Sequence, residues 1–451
     1  MRLLNTKTFE FATFESPRDL LPSDVTPYAI LSHTWGATEV THKELRKGRP
    51  PAGPGLRKIE NFCNLAAENG LEWAWIDTCC IDKRSSQELS ESINSMYDWY
   101  AQSDRCFVYL SDFELSPEEA HFRTTFADDV WLEKGWPAVR ERFQKSEWFT
   151  RGWTLQEMLA PVDHNESGHF VIFLDAHWHR LGTLTQLASE ISEITGIDLY
   201  YLNLGAFINS LHDSVAERMM AQIEPRAPLR AASVAMKMSW IAGRLTSRDE
   251  DMAYCMLGLF GVNMPLLYGE GTEKAFQRLQ VLIMAETGDE SMFAWACPDK
   301  VRPGLSDLLA SLPGDYKSCG DVLPGLFSMP SRRRFVKSDN LMMVTVPEQH
   351  FFNGGDSILL YINCRTKDRL NDAMCILLRY DKRKGAYERD WDIPDGSKLA
   401  EFPTCSLQTL RRDIEGVSRT ICVQQERRTD GWFNVPDEAV EIQKILSSTS
   451  T

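Results

Sequence analysis

An α/β fold built on a parallel sheet is predicted for residues 1–180, on three observations. Short apolar runs recur at 28–33 ("YAILSH"), around Trp75 and Ile76 in "EWAWIDTCCID" (72–82), and at 106–112 ("CFVYLSD"). Each closes on polar residues, as a buried strand does. Between them lie stretches with helical periodicity, and strand, helix, strand in that order implies parallel pairing.

The elements follow in order. "GLRKIENFCNLAAENG" (55–70) places Leu56, Ile59, Phe62, Cys63 and Ala66 on one helical face, with Gly70 as a stop. In "SSQELSESINSMYDWYAQS" (85–103), Ser85 and Glu88 fit a capping box, and Leu89, Ile93, Met96, Tyr97 and Tyr100 form one apolar stripe. Residues 113–146 are a charged excursion, predicted as a helical insertion. A Trp-rich helix around 148–160 follows, then a fourth strand, "HFVIFLDAHW" (169–178). Residues 181–300 read as a helical extension. It includes "SVAMKMSWIAGRL", "DEDMAYCMLGLF" with a Ser247…Glu250 capping box, and "EKAFQRLQVLIMAE" with Phe276, Leu279 and Ile283 aligned. Residues 301–430, with "NLMMVTV", "SILLYIN" and "MCILLRYD" between turn residues, read as a β-rich domain, and 431–451 as a tail.

The totals bound the function. At 451 residues, two or three domains are expected, and 43% hydrophobic with 25% charged residues is an ordinary globular composition. A net charge of −15 argues against a general nucleic-acid binder. The eleven cysteines include no CxxC pair, and "MRLLNTKTFEFATFES" lacks the apolar core of a signal peptide. A reducing, cytoplasmic setting is the expectation. The longest uncharged run, Met252 to Gly269, contains Gly258, Gly261, Asn263 and Pro265, so it reads as a buried helix end and turn, not a membrane span.

Several long strings resemble one family. "YAILSHTWG", "WIDTCCIDK", "SMYDWYAQSDRCFVYLSD" and "WFTRGWTLQEMLAP" look like motifs of the fungal heterokaryon incompatibility (HET) domain, and "SWIAGRLTSRDEDMAYCMLGLFGVNMPLLYGEGTEKAFQRLQ" resembles the segment that follows it. The resemblance covers roughly residues 1–295. It implies a role in non-self recognition and regulated cell death, with self-association into a homo-oligomer and an unknown protein partner. More distantly, "AILSH", the 92–112 stretch and "RGWTLQE" resemble TIR domains, which implies a TIR-like sheet. In TIR domains that cleave NAD, the Glu of that last motif is catalytic. By position this implies Glu157 as catalytic carboxylate and NAD as substrate. The alternative is a non-catalytic signalling or assembly module.

The residues offer chemistry and bland readings side by side. Trp153 and Glu157, four apart, share a helix face, and a carboxylate suits N-glycosidic cleavage because the transition state is oxocarbenium-like. The plain alternative is a core Trp and a Glu that bonds nearby backbone. Ser32, His33 and Trp35 follow a strand directly and could hold phosphate or ribose; otherwise they pack and satisfy a loop. Asp77 and Asp82 suit ribose hydroxyls or acid–base work, or else helix capping and pairing with Lys83 or Arg84. Arg151 joins the ligand-binding set through the "RGWTLQE" motif. His164, His169, His177 and His179 lie close in sequence without a Cys pair, so no metal site is expected. The run Arg332 to Arg334 reads as a solvated turn.

Overall fold

In a computed structural model of the chain, the described residues are 1–15, 26–48, 50–161, 171–202, 229, 231–295, 305–306, 308–324 and segments between 335 and 424. They fall into two compact units. The first comprises Met1–Ala231 with Gly243–Ala275, the second Ala232–Ala242 with Phe276–Thr451.

A seven-stranded mixed sheet organises the first unit. Its strands are β1 (Arg2–Asn5), β2 (Phe11–Thr13), β3 (Tyr28–His33), β4 (Trp73–Trp75), β5 (Arg105–Tyr109), β6 (Val171–Leu174) and β7 (Arg180–Thr183), in the order β2-β1-β4-β3-β5-β6-β7. The four central strands are parallel, and β1 and β7 flank them antiparallel. Strand β3 is buried along its whole length, the signature of a strand covered on both faces. The order of the parallel strands reverses between β3 and β5. Open α/β sheets bind ligands at the carboxyl ends of the strands beside such a reversal.

Helices α1 (His42–Arg46), α2 (Pro54–Glu68), α3 (Asp77–Cys80) and α4 (Ser86–Ala101) connect the first three parallel strands. Ile59, Phe62, Cys63 and Ala66 of α2 are buried, as their spacing predicts. Side chains alternate along each strand, so neighbours face opposite layers. On β5, Phe107 meets Phe62 of α2 edge-on at 6.0 Å, while the Cys106 thiol points to the Glu157 carbonyl at 3.8 Å. Trp75 of β4 packs edge-on against Trp99 and Tyr100 of α4. Helix α2 thus covers one face, and α4 and the helix bearing Glu157 cover the other.

The insertion at 113–146 is helical: α5 (Pro117–Thr125), α6 (Asp128–Val130), a π-helical turn (Trp131–Gly135) and α7 (Trp136–Phe143). A 3₁₀ turn, Glu147–Thr150, then leads to α8 (Trp153–Leu159). Helices Asp251–Tyr254 and Leu257–Phe260 also belong to this unit. Gly258 sits against Tyr97, whose Cβ would lie only 2.0 Å from an added side chain. That close approach explains a glycine inside the apolar run from Met252 to Gly269. Among the described residues, no helix is long and apolar enough to cross a membrane.

Four local expectations are corrected. The second predicted strand ends at Trp75, and Asp77 opens a one-turn helix instead. Ser85 caps α4 as expected, but Glu88 does not return to Ser85. Its carboxylate binds Arg2 at 2.7 Å and the backbone N–H of Asp82 at 2.7 Å. A charge-assisted bond to Arg2 outcompetes the local box. The Ser247…Glu250 box does not form either: Glu250 accepts from the N–H groups of Gly269 and Gly271, and Ser247 accepts from Arg151. Last, His177 and His179 lie in the turn after β6, not on a strand.

In the second unit, Val234–Ile241 is a buried helix capped by Ser233. Ser357–Ile362 pairs antiparallel with Asp372–Asp381. The sequence readings of His164, His169, Arg332 to Arg334 and the tail 431–451 lie outside the described residues.

Candidate functional site

Two clusters form at the carboxyl end of β3, one on each face. Ser32 and His33 are neighbours, so the strand sends them to opposite layers.

On the α8 face, the Ser32 hydroxyl donates to Glu157 Oε2 at 2.5 Å and accepts from the Trp148 indole at 2.8 Å. Glu157 also hydrogen-bonds to Tyr100. The Tyr100 hydroxyl gives its own proton to the Leu31 carbonyl at 2.9 Å. Trp148, Ser32 and Glu157 make one directed chain of donors and acceptors. Glu157 is 8% exposed and Ser32 0%. Burial pushes the Glu157 carboxyl up to about 8, the negative charge of Asp77 adds to the rise, and the hydrogen bonds with Ser32 and Tyr100 and the charge of Arg151 oppose it.

The "RGWT" turn fixes α8 in place. Gly152 donates to the Leu245 carbonyl at 2.8 Å, and a side chain there would meet Thr246 Cγ2 at 2.6 Å. Arg244, buried, donates to the Arg151 carbonyl and to the Thr154 hydroxyl. The side chain of Arg151 turns outward to Ser247 at 2.8 Å. Trp153 does not join Glu157. Its indole donates to Asp251 at 3.2 Å, and burial raises that carboxyl from its ordinary value.

On the α2 face, His33 Nδ1 lies 3.0 Å from the Lys58 ammonium and Nε2 lies 3.1 Å from Asp77. Lysine only donates, so Nδ1 accepts and Nε2–H donates to Asp77. Lys58 also binds Glu39 at 2.5 Å. The second Asp77 oxygen takes the Trp35 indole at 2.9 Å and Lys83 at 3.3 Å. Lys83 sits 3.4 Å over the Trp35 ring, which is 56% exposed. Burial alone would raise the Asp77 carboxyl, but Lys83 and His33 outweigh it and hold the group well below the usual carboxylate range. Asp82 stands apart, paired with Arg84 at 2.6 Å, an arrangement that holds its carboxyl well down.

Of the predicted residues, the structure joins Ser32 with Glu157, and His33 with Trp35 and Asp77. It leaves Arg151, Trp153 and Asp82 on separate partners. Sequence reading missed Tyr100 as a bonding group, Trp148, Lys58 and Glu39. The signal for Lys58 was present: a lysine on the flank of the apolar stripe of α2, one turn after Pro54. His177 pairs with Glu114 and His179 with Asp175. Among the described residues, no group of three or more His, Cys, Asp or Glu is arranged to hold a metal ion.

Residues 28–157 match the model of the family described as heterokaryon incompatibility protein (HET). The matched stretch opens on β3 and closes on Glu157, the two ends of the Ser32–Glu157 bond. The chain carries a HET domain. Vegetative incompatibility protein HET-E-1 of Podospora anserina is 38% identical over 273 residues, or 60% of this chain. The chain spans 17% of that relative's length. No solved structure matches the chain. Both clusters on β3 lie within the HET domain.

Proposed function

We propose that this HET-domain protein acts in vegetative incompatibility and the cell death that goes with it, and that its HET domain cleaves NAD at the nicotinamide–ribose bond. The observation that carries the chemical part is the Glu157 carboxyl, bonded to Ser32 at the carboxyl end of a parallel sheet, beside the reversal of strand order. The resemblance of "RGWTLQE" to the TIR motif puts the catalytic carboxylate on the same residue. In this reading the bond between ribose and nicotinamide breaks with its electron pair leaving on nicotinamide. The Glu157 carboxylate stabilises the positive ribosyl centre, water adds to it, and the proton of that water is taken up by Glu157. The products are nicotinamide and ADP-ribose. Ser32 positions the carboxyl, and Trp148 positions Ser32. A TIR-like sheet, a β-rich domain over 301–430, a cytoplasmic setting and self-association belong to the same proposal.

The second reading has its own observation. Glu157 is 8% exposed, and neither of the two cavities on this unit that we describe is lined by it. A buried, protonated carboxyl in a closed chain of hydrogen bonds suits a strut that locks α8 to β3 in a signalling module.

Incubating the full chain with NAD separates the two. The catalytic reading expects nicotinamide release that rises with pH toward about 8, as Glu157 loses its proton. Glu157→Gln is expected to lower the rate by a factor of about 100 or more, with its circular dichroism unchanged. Equal release from both proteins, or none from the folded wild type across pH 6–9, would leave the strut reading standing.

A further inference from the structure

We propose that the α2 face of the first unit carries a second binding site, for a small phosphate monoester. It is a cavity of about 340 Å³ at the carboxyl ends of β5 and β6. Its walls include Arg57, Lys58 and Asn61 from α2, Tyr109 from the end of β5, and His177 and Trp178 from the turn after β6. It lies on the opposite face of the sheet from Glu157, since Tyr109 follows Phe107 on the side that meets α2.

Charge gives the ligand its chemistry. The whole chain is −15, yet no carboxylate lines this cavity, whereas Arg57 and Lys58 do. The acids around it are engaged, Glu39 with Lys58, Glu114 with His177, and Asp175 with the backbone of the turn after β6. Arg57 and Asn61, one helical turn apart, have no side-chain hydrogen bond or ion pair among the described residues. An unpaired guanidinium beside an ammonium and an amide fits a dianionic phosphate oxygen set. The volume falls in the range of small-molecule sites and exceeds what phosphate alone needs, so a monoester with an organic body is the class indicated.

The far wall is built at a conformational cost. Trp178 has φ of +68°, a conformation that bulky residues rarely adopt. The Asp175 carboxylate imposes it, accepting from the N–H groups of His177 at 2.9 Å and His179 at 2.8 Å. The result is a Trp178 ring stacked on Tyr109, centroids 4.5 Å apart and 19° from parallel. This gives the cavity a flat aromatic surface besides its basic residues, suited to a sugar or base attached to the phosphate.

Calorimetric titration of the full chain tests the site, with inorganic phosphate, ribose 5-phosphate and adenosine 5′-monophosphate as probes and adenosine as the uncharged control. Saturable binding is expected for the phosphorylated probes, tightest for a monoester, with adenosine silent. Arg57→Ala is expected to weaken it by about 10- to 100-fold, the loss of a charge-assisted contact. Arg57 is exposed, so the variant folds as the wild type does. Glu157→Gln is expected to bind unchanged, which separates this site from the NAD reading. No saturable binding of any phosphorylated probe, binding indifferent to both Arg57→Ala and Asn61→Ala, or binding lost with Glu157→Gln would overturn the proposal.

Discussion

Glu157→Gln is expected to leave stability at pH 4 nearly unchanged and to raise it at pH 9. The folded-state carboxyl stands at about 8 and the ordinary value is 4.5, so between those limits the folded protein holds a proton that the unfolded chain releases. Wild-type stability therefore falls as pH rises through this window. Above pH 8 the folded state must carry a buried charge, and the gap corresponds to on the order of 5 kcal/mol. Glutamine, neutral at all pH, can still accept from Ser32. The wild type should then melt about 10 °C below the variant at pH 9 and within a degree or two of it at pH 4. Thermal unfolding followed by circular dichroism reads this directly. Melting temperatures that stay equal at pH 9 would show that Glu157 is already ionised in the folded protein.

Removing the Asp175 carboxylate is expected to have an effect of comparable size. Asp175 is fully buried and accepts from the N–H groups of Leu115, His177 and His179 and from the His179 ring. Asp175→Ala strands all four donors, and buried donors without partners each cost about 1–3 kcal/mol. A loss of about 3–5 kcal/mol in urea unfolding is the expected sum after relaxation and access of water. Asp175→Asn, which keeps one acceptor oxygen, should recover part of it. A loss below about 1 kcal/mol for the alanine variant would mean that the turn finds other acceptors, and that Asp175 does not hold Trp178 in its left-handed conformation.

The parts of this fold that rest on periodicity could be read from the chain. Strand β3, helix α2 and helix α4 lie close to where apolar spacing put them, because burial of one face is the strongest constraint on each. Strands β1, β2 and β7 could not. They are three or four residues long, too short for a pattern, and exist because neighbours present an open edge. Capping was legible only where nothing distant competed: Ser85 caps α4, but Arg2 captures Glu88.

The candidate site shows the same division. Its residue types and the motif that bears Glu157 were visible. The pairing was not, because Ser32 and Glu157 are 125 residues apart. "SHTWG" reads as one loop, yet β3 splits it, sending Ser32 to α8 and His33 to Asp77 and Lys58. That alternation is a property of the strand's register and of which helix covers which face. Local sequence carries the first and not the second.

The protonation state of Glu157 tests the account most directly. Isotope-edited infrared difference spectroscopy of the full chain, referenced against Glu157→Gln, isolates the band of a protonated carboxyl that the variant lacks. The burial of Glu157 predicts that this band persists at neutral pH and titrates away with a midpoint of about 8. A midpoint in the ordinary carboxylate range, about 4–5, would contradict it.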